Sequence, residues 1–323
     1  MSDGFFRSRW VEAPQHVREL EPTALPQGFR AGAVAAGLRH PEGLDVGVLV
    51  SDAPDTTSAA RFTANSRVGA PVIVSKASAL DRLRAIVANA GGSNTGDGQR
   101  GIDTARATQE AAAEALGIEP VQVGVASTGV IAAELPRDKV TSGARSACAA
   151  LADNADGLSR AIVTTDRWPK RACLEVELES GTVRLAAQGK GAGMISPRYA
   201  TMFCFVQTDA ALAPETVELL TGVCVKRSFD RISVDGQLST SDTVFVLANG
   251  ASGVRVESES ADELLLGEAM DALMRQLAME IVADGEGAKR VGRVIVRGDA
   301  DHVEPVARAV ANSPLVKTAL HGA

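Results

Sequence analysis

Lys190-Gly-Ala-Gly-Met-Ile-Ser-Pro-Arg-Tyr-Ala200-Thr201-Met-Phe-Cys-Phe-Val206 runs from a glycine-rich loop straight into a strongly apolar strand. The first residue of that strand is a threonine. A hydroxyl at the head of a core strand is what an N-terminal nucleophile enzyme needs. Cleavage before Thr201 would free an α-amine, whose reference pKa is about 7.7–8.0. That amine can serve as the base for its own hydroxyl, so no histidine is required. Read alone, Thr201 is also simply a β-branched residue at a strand end.

Two further loops carry matched polarity. Ser127-Thr128-Gly129 leaves a strand, where a hydroxyl and a bare backbone N–H can face an oxyanion. Thr164-Thr-Asp-Arg-Trp-Pro-Lys170 sets hydroxyls beside a charge cluster. Alone, each reads as a strand exit or a solvated turn, and so does Asp235-Gly-Gln-Leu-Ser-Thr-Ser-Asp-Thr243. Two glycine-rich stretches suggest phosphate without matching a phosphate motif. Gly91 to Gly96 lacks the following Lys-Ser/Thr. Gly189 to Gly193 has Arg184 where a P-loop needs glycine, and a strand follows it.

The histidines and cysteines narrow the chemistry. His16, His40, His302 and His321 show no HxxxH or HxxE spacing, which argues against a zinc site. They lie near the chain ends, so the base is expected not to be histidine. Cys148, Cys173, Cys204 and Cys224 form no CxxC pair and sit in apolar or Ala-rich surroundings, the pattern of buried free thiols. A net charge of −7 without a Lys/Arg cluster disfavours nucleic acid, and 3% aromatic residues disfavour stacking on single strands. Small molecules or copies of the same chain are the expected partners. No run approaches 18 apolar residues, and Met1 to Trp10 is polar, so neither a membrane span nor a signal peptide is expected. A cytoplasmic location follows by default.

The elements that must position these residues alternate in type. Residues 1–27 read as an irregular arm. Strands are expected at Asp45–Ser51, Ala70–Ser75, Ala85–Asn89, Val121–Ala126 and Ala161–Thr165. More follow at Leu174–Glu179, Val183–Ala187, Thr201–Gln207, Thr243–Ala248 and Arg293–Arg297. Helices are expected at Ile102–Leu116, Asp138–Ala152, Pro214–Val225, Ala261–Ala283 and Val303–Ala311. Ala90 to Gly98 reads as a loop. The interleaving gives an α/β or α+β architecture, with a domain boundary near Gly285.

Taken together, these segments resemble the ornithine acetyltransferase family, the glutamate N-acetyltransferases of the cyclic arginine pathway. The matches run in order from about Gly28 to Gly322. They are Ser127-Thr-Gly-Val-Ile131 with Leu135-Pro-Arg-Asp-Lys139, then Thr164-Thr-Asp166 with Pro169-Lys170. Lys190 to Pro197 with Ala200-Thr-Met202 follows. Phe229-Asp-Arg-Ile-Ser-Val-Asp-Gly236, Ser239-Thr-Ser-Asp-Thr243 and Lys317-Thr-Ala319 complete the series.

The resemblance implies an N-terminal-nucleophile-like, self-processing sandwich of sheets and helices, with a second, smaller α/β domain that is incomplete here. It implies cleavage between Ala200 and Thr201 into an α-chain, 1–200, and a β-chain, 201–323. Residues 1–284 would be the catalytic domain and 285–323 the start of the C-terminal one. Thr201 would be the nucleophile that takes acetyl from N2-acetylornithine and passes it to glutamate by a ping-pong exchange. Thr128 and Gly129 match the oxyanion hole. Thr164, Lys190, Thr201 and Glu286 match substrate-binding positions. A heterotetramer of two α- and two β-chains, with no cofactor and no metal, is implied as well. Family chains continue past Gly322 through an Asp-Pro-Asn-Trp-Gly segment, so a truncated C-terminus is expected. The residues leave open whether acetyl-CoA is a second donor. Two other readings compete: a self-cleaving aminopeptidase of similar architecture, and an inactive relative that folds as a dimerising or interacting protein.

Overall fold

The computed structural model describes residues 4–39, 42–196 and 202–322. Its most apolar runs form its innermost strands. A six-stranded sheet is ordered β1 (Val17–Glu19), β7 (Lys170–Leu178), β8 (Gly181–Lys190), β9 (Phe203–Thr208), β11 (Thr243–Ala248) and β4 (Thr57–Phe62). A four-stranded sheet is ordered β2 (Phe29–Val34), β3 (Val46–Ser51), β5 (Ala85–Gly92) and β6 (Val123–Val130). β9 and β11 pair in parallel, as do β5 and β6; the other neighbours in these two sheets are antiparallel. A two-stranded ribbon of β10 (Ala211–Leu212) and β12 (Arg255–Val256) stands apart.

The two large sheets face each other. Phe203, Phe205, Phe245 and Leu247 meet Phe29, Leu49, Ile86 and Ala88 between them. The short helix α4 (Asp156–Ala161) adds Leu158 to that layer. The outer face of the six-stranded sheet is covered by α5 (Pro214–Arg227) and α6 (Ala261–Ala283). The outer face of the four-stranded sheet is covered by α1 (Ala70–Lys76), α2 (Gly98–Leu116) and α3 (Arg137–Ala149). The result is the expected mixed α/β sandwich, in four layers. Each strand between two covered faces must be apolar on both sides, which is why β3, β9 and β11 are buried along their whole length. The chain ends in α7 (Ala300–Asn312) and α8 (Pro314–Gly322).

Several expected elements differ. Ala70–Ser75 is helix α1, not a strand: Gly69 is extended, Pro71 occupies the first turn, and a short apolar run has no period to tell the two apart. Ala161–Thr165 is the end of α4 and a loop, for the same reason. Arg293–Arg297 is irregular, because no described strand lies beside it to pair its backbone. The arm contributes β1, which pairs with β7. β5 runs past Asn89 to Gly92 because β6 continues alongside it.

Candidate active site

Lys190 is the last residue of β8 and Thr128 lies near the end of β6, so the ends of the two stacked sheets meet here. Lys190 is 2% exposed. Its Nζ donates to Thr128 Oγ1 at 3.0 Å and to Thr164 Oγ1 at 2.9 Å. No ion pair holds this ammonium among the described residues. Burial pushes its pKa down; the charges of Asp166, Asp242 and Glu286 oppose that, and Lys170 adds to it. A hydroxyl whose lone pair accepts from an ammonium keeps its own O–H as a donor. Thr128 is therefore primed to donate to an oxyanion. Next to it, Gly129 has φ of 129°, and a Cβ there would lie 2.5 Å from the carbonyl carbon of Gly91. Only glycine lets the ends of β5 and β6 approach so closely.

Beneath Lys190 sits a buried ion network. Lys170 Nζ lies 2.7 Å from Asp166 Oδ1 and 2.7 Å from Asp284 Oδ2, with all three side chains 0% exposed. Asp166 also accepts from Gly191 N at 2.7 Å and Thr164 N at 3.1 Å. Its burial would raise its pKa, but the charges of Lys190 and Lys170 and the hydrogen bonds prevail and hold it below the usual range. Asp284 accepts from Arg167 N at 3.0 Å and Nε at 2.7 Å. The 164–170 segment is thus no solvated turn. It is bolted to the end of α6 and to the residue after Lys190.

Two more carboxylates hold backbone N–H groups at Met194, Ile195 and Met202. Asp235 accepts from Met194 N at 2.6 Å and Ile195 N at 2.9 Å, where Met194 takes φ of 54°. Asp242, fully buried, accepts from Met202 N at 3.1 Å. The Ser239–Thr243 stretch is correspondingly buried at Ser239, Ser241, Asp242 and Thr243. Glu286 donates its N–H to Ala192 O at 2.9 Å, and its carboxylate lies against Gly193. It lines a cleft of about 1140 Å³ with Lys289, Arg290 and Lys317 among the walls.

Of the residues singled out from sequence, Thr128, Thr164 and Lys190 are in direct contact. Gly129 adjoins them, and Glu286 acts on Lys190 through its charge. Ala200 and Thr201 lie outside the described residues. Asp166, Lys170, Asp235, Asp242 and Asp284 were given no role from sequence. The available signal was a set of charges inside otherwise apolar or hydroxyl-rich segments. Among the described residues no group of three or more His, Cys, Asp or Glu is arranged to hold a metal. All four thiols are buried. Burial pushes Cys148 up to about 11 and Cys173 and Cys224 up to about 12, which removes them as nucleophiles at neutral pH. No described helix is long and apolar enough to cross a membrane.

Comparisons with known proteins identify the family. The ArgJ family model matches residues 30–323. The arginine biosynthesis bifunctional protein ArgJ of Nitratidesulfovibrio vulgaris is 46% identical over 305 residues, covering 93% of this chain and 77% of that one. Its counterpart from Chlorobium chlorochromatii is 44% identical, over 92% of this chain and 70% of its own length. Among solved structures, ornithine acetyltransferase from Mycobacterium tuberculosis, complexed with ornithine, is 34% identical with a TM-score of 0.52. It covers 56% of this chain and 98% of its own. A β-aminopeptidase from Burkholderia sp. has a TM-score of 0.50 over 84% of this chain and 89% of its own, but 14% identity, so it shares the fold alone. The chain belongs to the ArgJ family of bifunctional enzymes of arginine biosynthesis.

Proposed function

We propose that this chain moves an acetyl group from N2-acetyl-L-ornithine to L-glutamate through an acetyl ester on Thr201. The observation that carries the reading is the buried Lys190 ammonium bridging the Thr128 and Thr164 hydroxyls. It leaves Thr128 with a proton to donate, at the place where two sheet ends meet. Transfer between two amines at similar energy needs a nucleophile, a base and an oxyanion hole, and neither ATP nor a metal. In this reading Thr201 is the nucleophile, and Thr128 and Gly129 form the oxyanion hole. Thr164, Lys190, Thr201 and Glu286 bind substrate. The ornithine held by the Mycobacterium tuberculosis relative supports an ornithine-derived donor. The exchange is ping-pong, because the donor's amine must leave before glutamate attacks the ester.

The same reading includes self-cleavage between Ala200 and Thr201, a catalytic unit of residues 1–284 and a C-terminal unit beginning at 285. Two α- and two β-chains assemble in the cytoplasm without a cofactor, and acetyl-CoA is left open as a second donor to glutamate. Intact mass after denaturation tests the core of it. The wild-type chain is expected as two species divided after Ala200, and the Thr201→Ala chain as one species of 33.4 kDa with no transfer. Two species from that variant would sink the mechanism. Acetylglutamate formed from acetylornithine supports the transferase; free amino acids released from peptides would favour the aminopeptidase.

A further inference from the structure

Asp166 closes a ring around the Lys190–Thr164 contact. Its Oδ2 accepts from Thr164 N at 3.1 Å, and the Thr164 hydroxyl accepts from Lys190 Nζ at 2.9 Å. Its Oδ1 accepts from Gly191 N, the residue after Lys190, at 2.7 Å. One carboxylate therefore fixes the backbone on both sides of that contact. The same Oδ1 lies 2.7 Å from Lys170 Nζ, which also reaches Asp284 Oδ2 at 2.7 Å. Asp284 caps α6 two residues before Glu286, whose N–H donates to Ala192 O at 2.9 Å. Lys190 and Glu286 are thus held on one frame. The Asp166 side chain is fully buried and keeps its charge, and among the described residues its ion pair is with Lys170, not with Lys190. A buried ammonium with hydroxyl partners is costly unless a counter-charge lies nearby. The charged groups that face Lys190 are Asp166 in the 164–170 segment, Lys170 at the start of β7, Asp242 at the head of β11 and Glu286 after α6. Asp166 acts on it most strongly.

We propose that Asp166 is a positioning residue for acyl transfer: it sets Lys190 against the Thr128 and Thr164 hydroxyls and supplies the counter-charge of the Lys190 ammonium without pairing with it. This rests on the reading of Thr128 as the oxyanion donor. The charge on Lys190 decides which way the Thr128 proton points. An ammonium can only donate, so Thr128 keeps its O–H for the oxyanion. A neutral amine would offer a lone pair, accept that O–H and take the donor away. A direct Asp166–Lys190 ion pair would do harm of another kind, by drawing the ammonium off the hydroxyls. Lys170 stands against that by occupying Asp166 Oδ1. The frame places a negative charge near Lys190 and leaves its N–H groups to the two hydroxyls.

The Lys190 ¹³Cε shift, followed against pH in the uncut Thr201→Ala chain, tests this; its loss in Lys190→Met assigns the resonance. Asp166→Asn keeps the size of the side chain and removes the charge, so the Lys190 titration is expected to move down by about one unit or more. Lys170→Met removes a cation from the same frame and is expected to move it up. Loosening of the segment alone would admit water to Lys190 and raise the titration in both variants. Upward shifts in both, or no shift in Asp166→Asn, overturn the proposal. Should Asp166→Asn alone not fold, adding it to Lys170→Met makes the same comparison. The titration is then expected to fall from the Lys170→Met value, and no fall overturns the proposal. In the cut enzyme the alkaline limb of the transfer rate is expected to move down in Asp166→Asn; an unmoved limb in a folded variant overturns it as well. Failure of the underlying reading looks different: the Lys190 titrations shift as stated while Thr128→Ala transfers acetyl at the wild-type rate.

Discussion

Lys190 and Thr128 stand 62 residues apart in the chain and 3.0 Å apart in space. One belongs to the six-stranded sheet and the other to the four-stranded sheet. A single buried ammonium therefore ties the two halves of the sandwich together at the point where the proposed oxyanion donor sits. Because no carboxylate among the described residues forms an ion pair with Lys190, its charge remains available to a reacting oxyanion or a substrate carboxylate.

Lys190→Met tests that assignment. The methionine fills much the same volume and removes the charge. Acetyl transfer is expected to fall by about 10²–10³, the range for losing one oxyanion donor, because the Thr128 hydroxyl is no longer oriented. Thr128→Ala is expected to fall in the same range. Steady-state rates at saturating acetylornithine check both. A wild-type rate in either variant would remove that residue from the site.

The Lys170 network makes a separate claim about stability. Replacing Lys170 by Met leaves Asp166 and Asp284 buried with one cation fewer between them. Breaking a buried pair from one side costs about 3–5 kcal/mol. Arg167 still reaches Asp284, so the loss falls mainly on Asp166. Urea unfolding of the uncut Thr201→Ala chain, with and without Lys170→Met, measures it. Adding Asp166→Asn to Lys170→Met is expected to recover part of the loss; no recovery would mean that the charge is not what destabilises.

Much of this was legible in the residues themselves. Strands with continuous apolar character, such as Thr243–Ala248, and the long helix Ala261–Ala283 fall where the pattern puts them. Thr128 reads as a hydroxyl at a strand exit, whereas the substrate-binding roles of Thr164 and Lys190 come from the family resemblance alone. Lys190 ends β8, and Thr164 lies in the loop after α4. What could not be read is what long-range packing decides. Ala70–Lys76 is apolar and partly β-branched, yet folds as a helix because Pro71 and the extended Gly69 start one. Lys170 looks like a surface charge until Asp284, 114 residues away, is brought to it. No local pattern announces a buried ion pair whose partners meet only in the folded state.

Gly129 carries a prediction about shape rather than charge. A methyl at its Cβ position meets Gly91 backbone atoms at 2.5 Å and 2.7 Å, and φ of 129° is strained for any L side chain. Gly129→Ala is expected to lower stability by about 1–3 kcal/mol. It should also slow transfer, because the ends of β5 and β6 must part beside Thr128. Thermal unfolding together with the transfer rate checks this. Full activity at unchanged Tm would mean that the close approach has no part in the site.

The pH dependence of stability follows from Asp242. In the uncut chain burial holds its carboxyl at about 8, against about 3.9 for an unfolded aspartate. The folded pKa is raised, so the folded state binds the extra proton between those values. Below about pH 4 both states are protonated and the contribution is fully present. As pH rises the unfolded chain ionises first, and the stability is lost progressively up to about pH 8, above which it stays flat. Lys190 is the charged group facing this carboxyl, and it is retained in the comparison. Asp242→Asn in the Thr201→Ala background removes the titration without changing the shape. The difference in Tm between the two uncut chains should shift in favour of the asparagine between pH 4 and pH 8 and hold constant above it. Parallel profiles across that window would mean that Asp242 ionises like an exposed carboxylate, and that its burial is offset by donors to both of its oxygens.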